Sequence, residues 1–270
     1  MCLRAADPQS FTRIPGMDLA LETHGLRRTF GDFVAVDGID LAVPKGSLYG
    51  FLGPNGAGKS TTIKCLTGLL RPTGGTMTIL GLDPIVAPEA VKRQVGVLPE
   101  DLALFEHLTA SETLAFVGQV HGLAPATIRA RTAELLAMMD LDGAAGQLVA
   151  DYSHGMRKKT SLAAALLPAP RLLFLDEPFE GIDAIASRLI KDLLHDFVTR
   201  GGTIFLTSHI LEVVERLCDH IGVIHKGRLA AQGPIETLRA GIAGETLETT
   251  FLKLVGAGEG VRSKLDWLSG

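Results

Sequence analysis

One stretch constrains this chain more than any other: Gly53, Pro54, Asn55, Gly56, Ala57, Gly58, Lys59, Ser60 and Thr61. It matches the pattern G-x-x-x-x-G-K-[ST] in full, and it stands between an apolar run (Leu48–Leu52) and a helical run opening at Lys59. A strand before and a helix after is the context in which this pattern cradles phosphate. Its glycines let the backbone curl so that successive N–H groups point inward at phosphate oxygens. The helix start adds its positive dipole end. Lys59 is then expected to reach the outer phosphates, and the Ser60 hydroxyl to sit on Mg²⁺. The blander alternative is a Gly-rich turn that caps a helix and binds nothing.

A phosphate loop of this type needs a carboxylate for the magnesium shell at the end of a buried strand. The segment Leu172-Leu-Phe-Leu-Asp176-Glu177-Pro178 supplies one, since four apolar residues run into two acids. Asp176 is the expected metal partner. Glu177, one residue on, is placed to act as general base toward water. Solvated acids at a strand end are the alternative.

Short β-rich runs alternate with helical runs from Leu19 onward. Strands are expected at Leu19–Thr23, Ile39–Val43, Leu48–Leu52, Thr76–Ile79, Val95–Leu98, Leu172–Leu175, Thr203–Leu206 and Ile221–Ile224. Helices are expected at Lys59–Leu70 and Ala184–Thr199. Several strands are apolar on both faces, as buried parallel strands are, so the class is α/β with helices on both sides of a sheet. Between Leu108 and Leu167 no strand is legible. Thr109-Ala-Ser-Glu112 forms a capping-box pattern, Ala126–Met139 has helical spacing, and the stretch reads as an inserted helical subdomain.

Charge and cysteine usage narrow the classes further. The chain has 26 Lys+Arg against 30 Asp+Glu, a net charge of −4, which speaks against a partner held through a broad basic surface. Cys2, Cys65 and Cys218 lie far apart, with no zinc or disulfide spacing. No apolar run reaches the ~18 residues of a membrane span, and the N-terminus lacks the apolar core of a secretory signal. A soluble protein of a reducing compartment is expected.

The two acidic-strand and phosphate-loop motifs, with the residues between and after them, resemble the ATP-binding cassette (ABC) ATPases over about residues 19–239. In that family a Leu-Ser-Gly-Gly-Gln segment precedes the acidic strand. The same place here reads Tyr152-Ser153-His154-Gly155-Met156, which keeps Ser153 and Gly155. The resemblance implies that these two bind the γ-phosphate of ATP held by a second, head-to-tail cassette. From the residues alone, a Ser helix cap followed by a solvated basic face of Arg157, Lys158 and Lys159 is the favoured reading of the segment, since Ser is among the preferred caps. His209 matches the family's γ-phosphate-sensing histidine, and Glu180-Gly181-Ile182-Asp183 matches the family's turn after the acidic strand, a resemblance that implies Asp183 lies across the dimer interface. Asp183 also suits a plain helix N-cap. Glu100 stands where the family usually carries Gln near the metal and the water. A carboxylate there accepts but cannot donate. Phe30 matches the family's adenine-stacking aromatic; a core aromatic is the alternative.

The resemblance implies an α/β P-loop NTPase (RecA-like) core with an antiparallel β edge and an inserted α-helical subdomain. The core spans residues 18–99 and 168–240, and the helical signature subdomain spans 100–167. A flexible tail occupies 1–17, and a C-terminal helical extension with its own tail occupies 241–270. Implied cofactors are ATP and Mg²⁺. Implied partners are a separate transmembrane permease and a second cassette, at the cytoplasmic face of the membrane and with no direct nucleic acid. Residues 102–108 are apolar enough to receive a short permease helix, or else pack within the domain. The segment Leu247–Leu254 is similar to the C-terminal end of single-domain exporter cassettes, which points to export. Soluble cassette ATPases acting on ribosomes or nucleic acid form the alternative. The type with two fused cassettes does not suit one set of motifs, and the DNA-repair type does not suit the short Ser60–Ser153 interval.

Overall fold

The computed structural model describes residues 18–240 and 247–255. In chain order these form β1 (Leu19–Phe30), β2 (Phe33–Ile39), β3 (Ala42–Pro44), β4 (Leu48–Leu52), α1 (Lys59–Leu66), β5 (Gly74–Ile79), α2 (Pro88–Lys92) and β6 (Val95–Leu98). Then come α3 (Ala110–Val120), α4 (Pro125–Met138), α5 (His154–Leu166), β7 (Leu172–Leu175), α6 (Ala184–Thr199), β8 (Thr203–Ser208), α7 (Leu211–Leu217), β9 (His220–His225), β10 (Arg228–Pro234), α8 (Ile235–Ala240) and α9 (Leu247–Leu254). The expected tail over residues 1–17 and the glycine-rich C-terminal end lie outside the described residues.

All five residues of β4 and all four of β7 are buried, which requires cover on both sheet faces. The sheet order β10-β9-β4-β8-β7-β6 provides it, with parallel pairing from β9 to β6 and an antiparallel β10 at the edge. Strand alternation then divides the core. Tyr49, Phe51, Phe174 and Phe205 face α1 and a second, antiparallel sheet in which β1 pairs with β2, β3 and β5. Leu48, Leu52, Leu173, Leu175, Ile204 and Leu206 face α6, α7 and the α3–α5 helices on the opposite side. Burial pushes the Tyr49 phenol well above its usual range, and its hydroxyl donates to Gln232 Oε1 at 3.2 Å.

Between β6 and β7 the described chain is helical, with 3₁₀ turns at Asp142–Ala144 and Val149–Asp151. The Thr109 capping box is formed: the Thr109 hydroxyl accepts from Glu112 N and the Glu112 carboxylate accepts from Thr109 N.

The expected strand over Ile39–Val43 is corrected. It straddles a break, because β2 ends at Ile39 and β3 starts at Ala42. The buried Thr23 side chain bridges that break, donating to Ile39 O and accepting from Leu41 N. The expected helix Lys59–Leu70 ends at Leu66, where Thr67 turns its hydroxyl back onto Ile63 O and Gly68 leaves helical geometry at φ +76°. β2 and β10 escape the apolar-run criterion because each is only partly covered.

Phe205 touches the rings of Tyr49, Phe51 and Phe174, with centroids 5.3–5.9 Å away. Its truncation to Ala is expected to cost ~3–5 kcal/mol of folding stability, the usual range for a fully buried phenylalanine. Urea unfolding checks this; a cost under ~1 kcal/mol would mean that the aromatic layer repacks without it.

Candidate functional site

The site gathers at the carboxyl ends of β4, β6, β7 and β8, where open α/β sheets hold their ligands. The loop Gly53–Gly58 leaves β4 and turns into α1 with no side-chain cap and no acidic residue in the first turn. The first N–H groups of α1 are therefore free to receive an anion.

Two close approaches fix the loop from behind. A Cβ on Gly53 would lie 2.4 Å from Ile224 O. One on Gly58, whose φ is +109°, would lie 2.5 Å from Ala35 O. Neither position admits a side chain without moving backbone. Gly227 N donates to Ala57 O, and Asp37 N donates to Gly227 O, so the β9–β10 turn stitches the loop to β2. Asn55 and Gly56 at the loop's crest are exposed.

Lys59 is buried at 6% exposure, yet its ammonium is well supplied. It donates to Gly53 O at 2.9 Å and lies 3.2 Å from Glu177 Oε1. Ser60 Oγ lies 3.0 Å from Glu100 Oε2 and 3.4 Å from Asp176 Oδ1. A hydroxyl and two carboxylates converging in this way are hard oxygen donors of the kind Mg²⁺ takes alongside phosphates. Among the described residues no cluster of three His, Cys, Asp or Glu side chains forms a self-sufficient metal cage. Burial raises the Asp176 carboxyl pKa, and hydrogen bonds from Thr207 and Ser60 oppose the rise.

Glu177 follows directly. Its φ is +48°, an uncommon conformation for a side-chain-bearing residue. Its N–H donates to Thr207 Oγ1 at 3.0 Å, while that hydroxyl donates to Asp176 Oδ1. Its carboxylate sits between Lys59 and His209, with Nδ1 of His209 3.1 Å from Oε2. The sequence-derived set Lys59, Ser60, Glu100, Asp176, Glu177 and His209 thus meets in one place.

The other expected residues lie apart from that cluster. Phe30 ends β1 at 43% exposure, so it is not a core aromatic; the Arg28 guanidinium stands 4.4 Å from its ring centroid. Ser153 caps α5, accepting from Met156 N, and Asp183 caps α6, accepting from Ala186 N. Both are exposed, and Gly155 is half-buried in the first turn of α5. Their hydrogen bonds are to their own helices rather than to this chain's phosphate loop.

Two residues were missed by sequence reasoning. Thr207 carries no motif signal beyond its place two residues before His209. Lys158 was grouped with a solvated basic face. Instead it is buried, and Nζ donates to Glu177 O and Glu180 O at 2.8 and 2.7 Å. Burial lowers its pKa, while the carboxylates of Glu180, Glu177, Glu100 and Asp176 oppose that. A signal did exist: Lys158 lies four residues before buried Leu162 and seven before Ala165, on the covered face of α5.

A family model described as ABC transporter matches residues 36–180. The daunorubicin/doxorubicin resistance ATP-binding protein DrrA of Streptomyces peucetius is 41% identical over 228 residues, covering 84% of this chain and 69% of that protein. The Nod factor export ATP-binding protein I of Cupriavidus pinatubonensis is 40% identical, covering 84% of this chain and 70% of that protein. A solved structure described as the ATP binding subunit of an ABC transporter superposes with TM-score 0.81 at 32% identity, covering 87% of this chain and 99% of that one.

Gly58→Ala is expected to destabilise the fold by ~1–3 kcal/mol, through the left-handed backbone and the Ala35 carbonyl, and to weaken phosphate binding with it. Thermal unfolding and titration with a fluorescent nucleotide check both effects. Wild-type values in both assays would remove close approach as the reason for this glycine.

Proposed function

The chain belongs to the ABC transporter family and is an ATP-binding, ATP-hydrolysing subunit of the P-loop NTPase fold; from that premise we propose that it powers export through a separate membrane-spanning permease, as one of two cassettes that close head to tail on ATP. The observation that carries the catalytic reading is the meeting of Lys59, Asp176, Glu177 and His209 around Ser60.

The residues divide the work as follows. The loop Gly53–Gly58 and the first N–H groups of α1, at Lys59, Ser60 and Thr61, receive the phosphates. Lys59 neutralises their charge from its buried position. Ser60, Asp176 and Glu100 would hold Mg²⁺, which would offset the charge that develops on the phosphate oxygens. Glu177 takes a proton from the attacking water, oriented by Thr207 at its N–H. His209 lies against the same carboxylate, which supports a role in donating to the γ-phosphate. Phe30 stacks on the adenine with the ring face opposite Arg28.

Closure of two cassettes gives Ser153, Gly155 and Asp183 their role. The exposed N-terminus of α5 is an anion-binding end that this chain's own phosphate loop does not use, which supports its reading the nucleotide of the second cassette. In this division residues 18–99 and 168–240 form the catalytic core. Residues 100–167 form the arm that reaches across; of the extension expected over 241–270 the described part is 247–255, where α9 packs on the core.

Among the described residues no helix is long and apolar enough to cross a membrane, which is compatible with a peripheral subunit at the cytoplasmic face. A groove of about 380 Å³, lined by Val97, Pro99, Leu102, Leu104, Phe105 and Val117, suits a short apolar helix of the permease. Export is favoured by the relatives, two of which are named for drug resistance and for Nod factor export.

Glu177→Gln is expected to bind ATP, to form a stable ATP-dependent dimer by light scattering, and to hydrolyse ATP ~10²-fold or more slowly than wild type. Wild-type turnover in that variant removes Glu177 from the general-base role. Lys59→Ala is expected instead to weaken nucleotide binding itself by ~10-fold or more. For the partner, affinity capture of the tagged chain from detergent-solubilised membranes of the native cell is expected to recover a multispanning protein in fixed ratio. Recovery with ribosomes or nucleic acid alone would overturn transport and leave the ATPase chemistry standing.

A further inference from the structure

We propose that Lys158 is a positioning residue for hydrolysis: it holds the backbone of the Glu177–Glu180 turn and so ties the helix that starts at Ser153 to the carboxylate serving this chain's own nucleotide. The inference rests on the reading of Glu177 as general base.

A lysine at 3% exposure is rare, because an ammonium taken out of water must recover its lost hydration. Lys158 recovers it from two main-chain carbonyls, Glu177 O at 2.8 Å and Glu180 O at 2.7 Å. An ammonium carries three donors, and two are committed to opposite ends of one four-residue turn. The first of those ends is where the chain is least relaxed, since Glu177 has φ +48°. Its N–H is already held by Thr207 from β8. The backbone of Glu177 is therefore fixed on its amide side by a strand and on its carbonyl side by α5. The carboxylate that extends from this backbone lies between Lys59 and His209.

A second contact joins the same two parts. A Cβ on Gly181 would stand 3.0 Å from His154 Cδ2, so the first residue of α5 rests on the turn just beyond Glu180. The neighbouring Arg157 points elsewhere, to Val149 O, Ala150 O and Glu106. Within the basic run it is Lys158 that bonds the catalytic turn. Through this bond the helix that starts at Ser153 is joined to the Glu177 carbonyl.

The test is steady-state ATP hydrolysis by the full chain, with nucleotide affinity and melting temperature measured alongside. Lys158→Met keeps length and loses the donors. It is expected to lower kcat ~10-fold or more with KM and nucleotide affinity within ~2-fold of wild type, the split left when only transition-state stabilisation is lost. Lys158→Arg, which still donates to carbonyls, is expected to recover turnover to within ~3-fold of wild type. Combined with Glu177→Gln, Lys158→Met is expected to add nothing further, because both act through one carboxylate. Should Lys158→Met not fold, Lys158→Gln carries the same criterion, its shorter amide spanning one carbonyl at most. Wild-type kcat in the donor-less variant, a proportional loss of kcat and affinity, or no recovery by Arg each overturns the inference. A slow Glu177→Gln beside a normal Lys158→Met sinks Lys158 alone, whereas wild-type turnover by Glu177→Gln removes the base reading on which it rests.

Discussion

The contact between the Lys59 ammonium and the Glu177 carboxylate, 3.2 Å apart and shielded from water, is the interaction on which the rest of the site depends. Two ions are held inside a protein only where each keeps further partners. Lys59 has Gly53 O, whereas Glu177 Oε1 and His209 Nδ1, buried side by side, make no hydrogen bond and leave polar atoms for water or phosphate to meet. These groups require the loop after β4, the ends of β7 and β8, and the turn beyond β7 to sit within a few ångströms of one another. Parallel pairing of β4 with β8 and of β8 with β7 delivers this, since it brings the carboxyl ends of three strands to one rim.

Much of that was legible in the sequence because local chemistry dictates it. A strand, a Gly-rich turn and a lysine at a helix start admit few conformations, and Leu48–Leu52, Val95–Leu98, Leu172–Leu175 and Ala184–Thr199 lie where the apolar runs put them. The expected α/β P-loop architecture holds, with β10 antiparallel at the sheet edge and a second, antiparallel sheet packed on one face. The phosphate loop and the two acids identified each other by spacing and type alone. The Ile39–Val43 run shows the opposite case. Its residues are apolar enough for one strand, but the Thr23 hydroxyl satisfies backbone on both sides of a break that periodicity cannot register.

Lys158 and Thr207 were opaque for a related reason. Each acts on a main-chain group of Glu177, and main-chain groups leave no signature in a sequence. A basic run reads as solvated until the helix face it occupies is known. Ser153 and Asp183 show the complementary limit: each is visibly a helix cap in sequence and in structure, and a cap says nothing of what else meets that end.

The central position of β4 also bears on how the molecule is made. Leu48 pairs with Ile204, and Tyr49 pairs with His220. The strand that launches the phosphate loop therefore has no neighbour in its own sheet until nearly the whole core has been synthesised. Pairings of such separation close slowly, because the entropy of a long loop is lost before any contact compensates it. The helices α3, α4 and α5 are local structures that can form ahead of that closure. A product terminated before β8 would lack both strands that flank β4, and with them the platform from which the phosphate loop is launched.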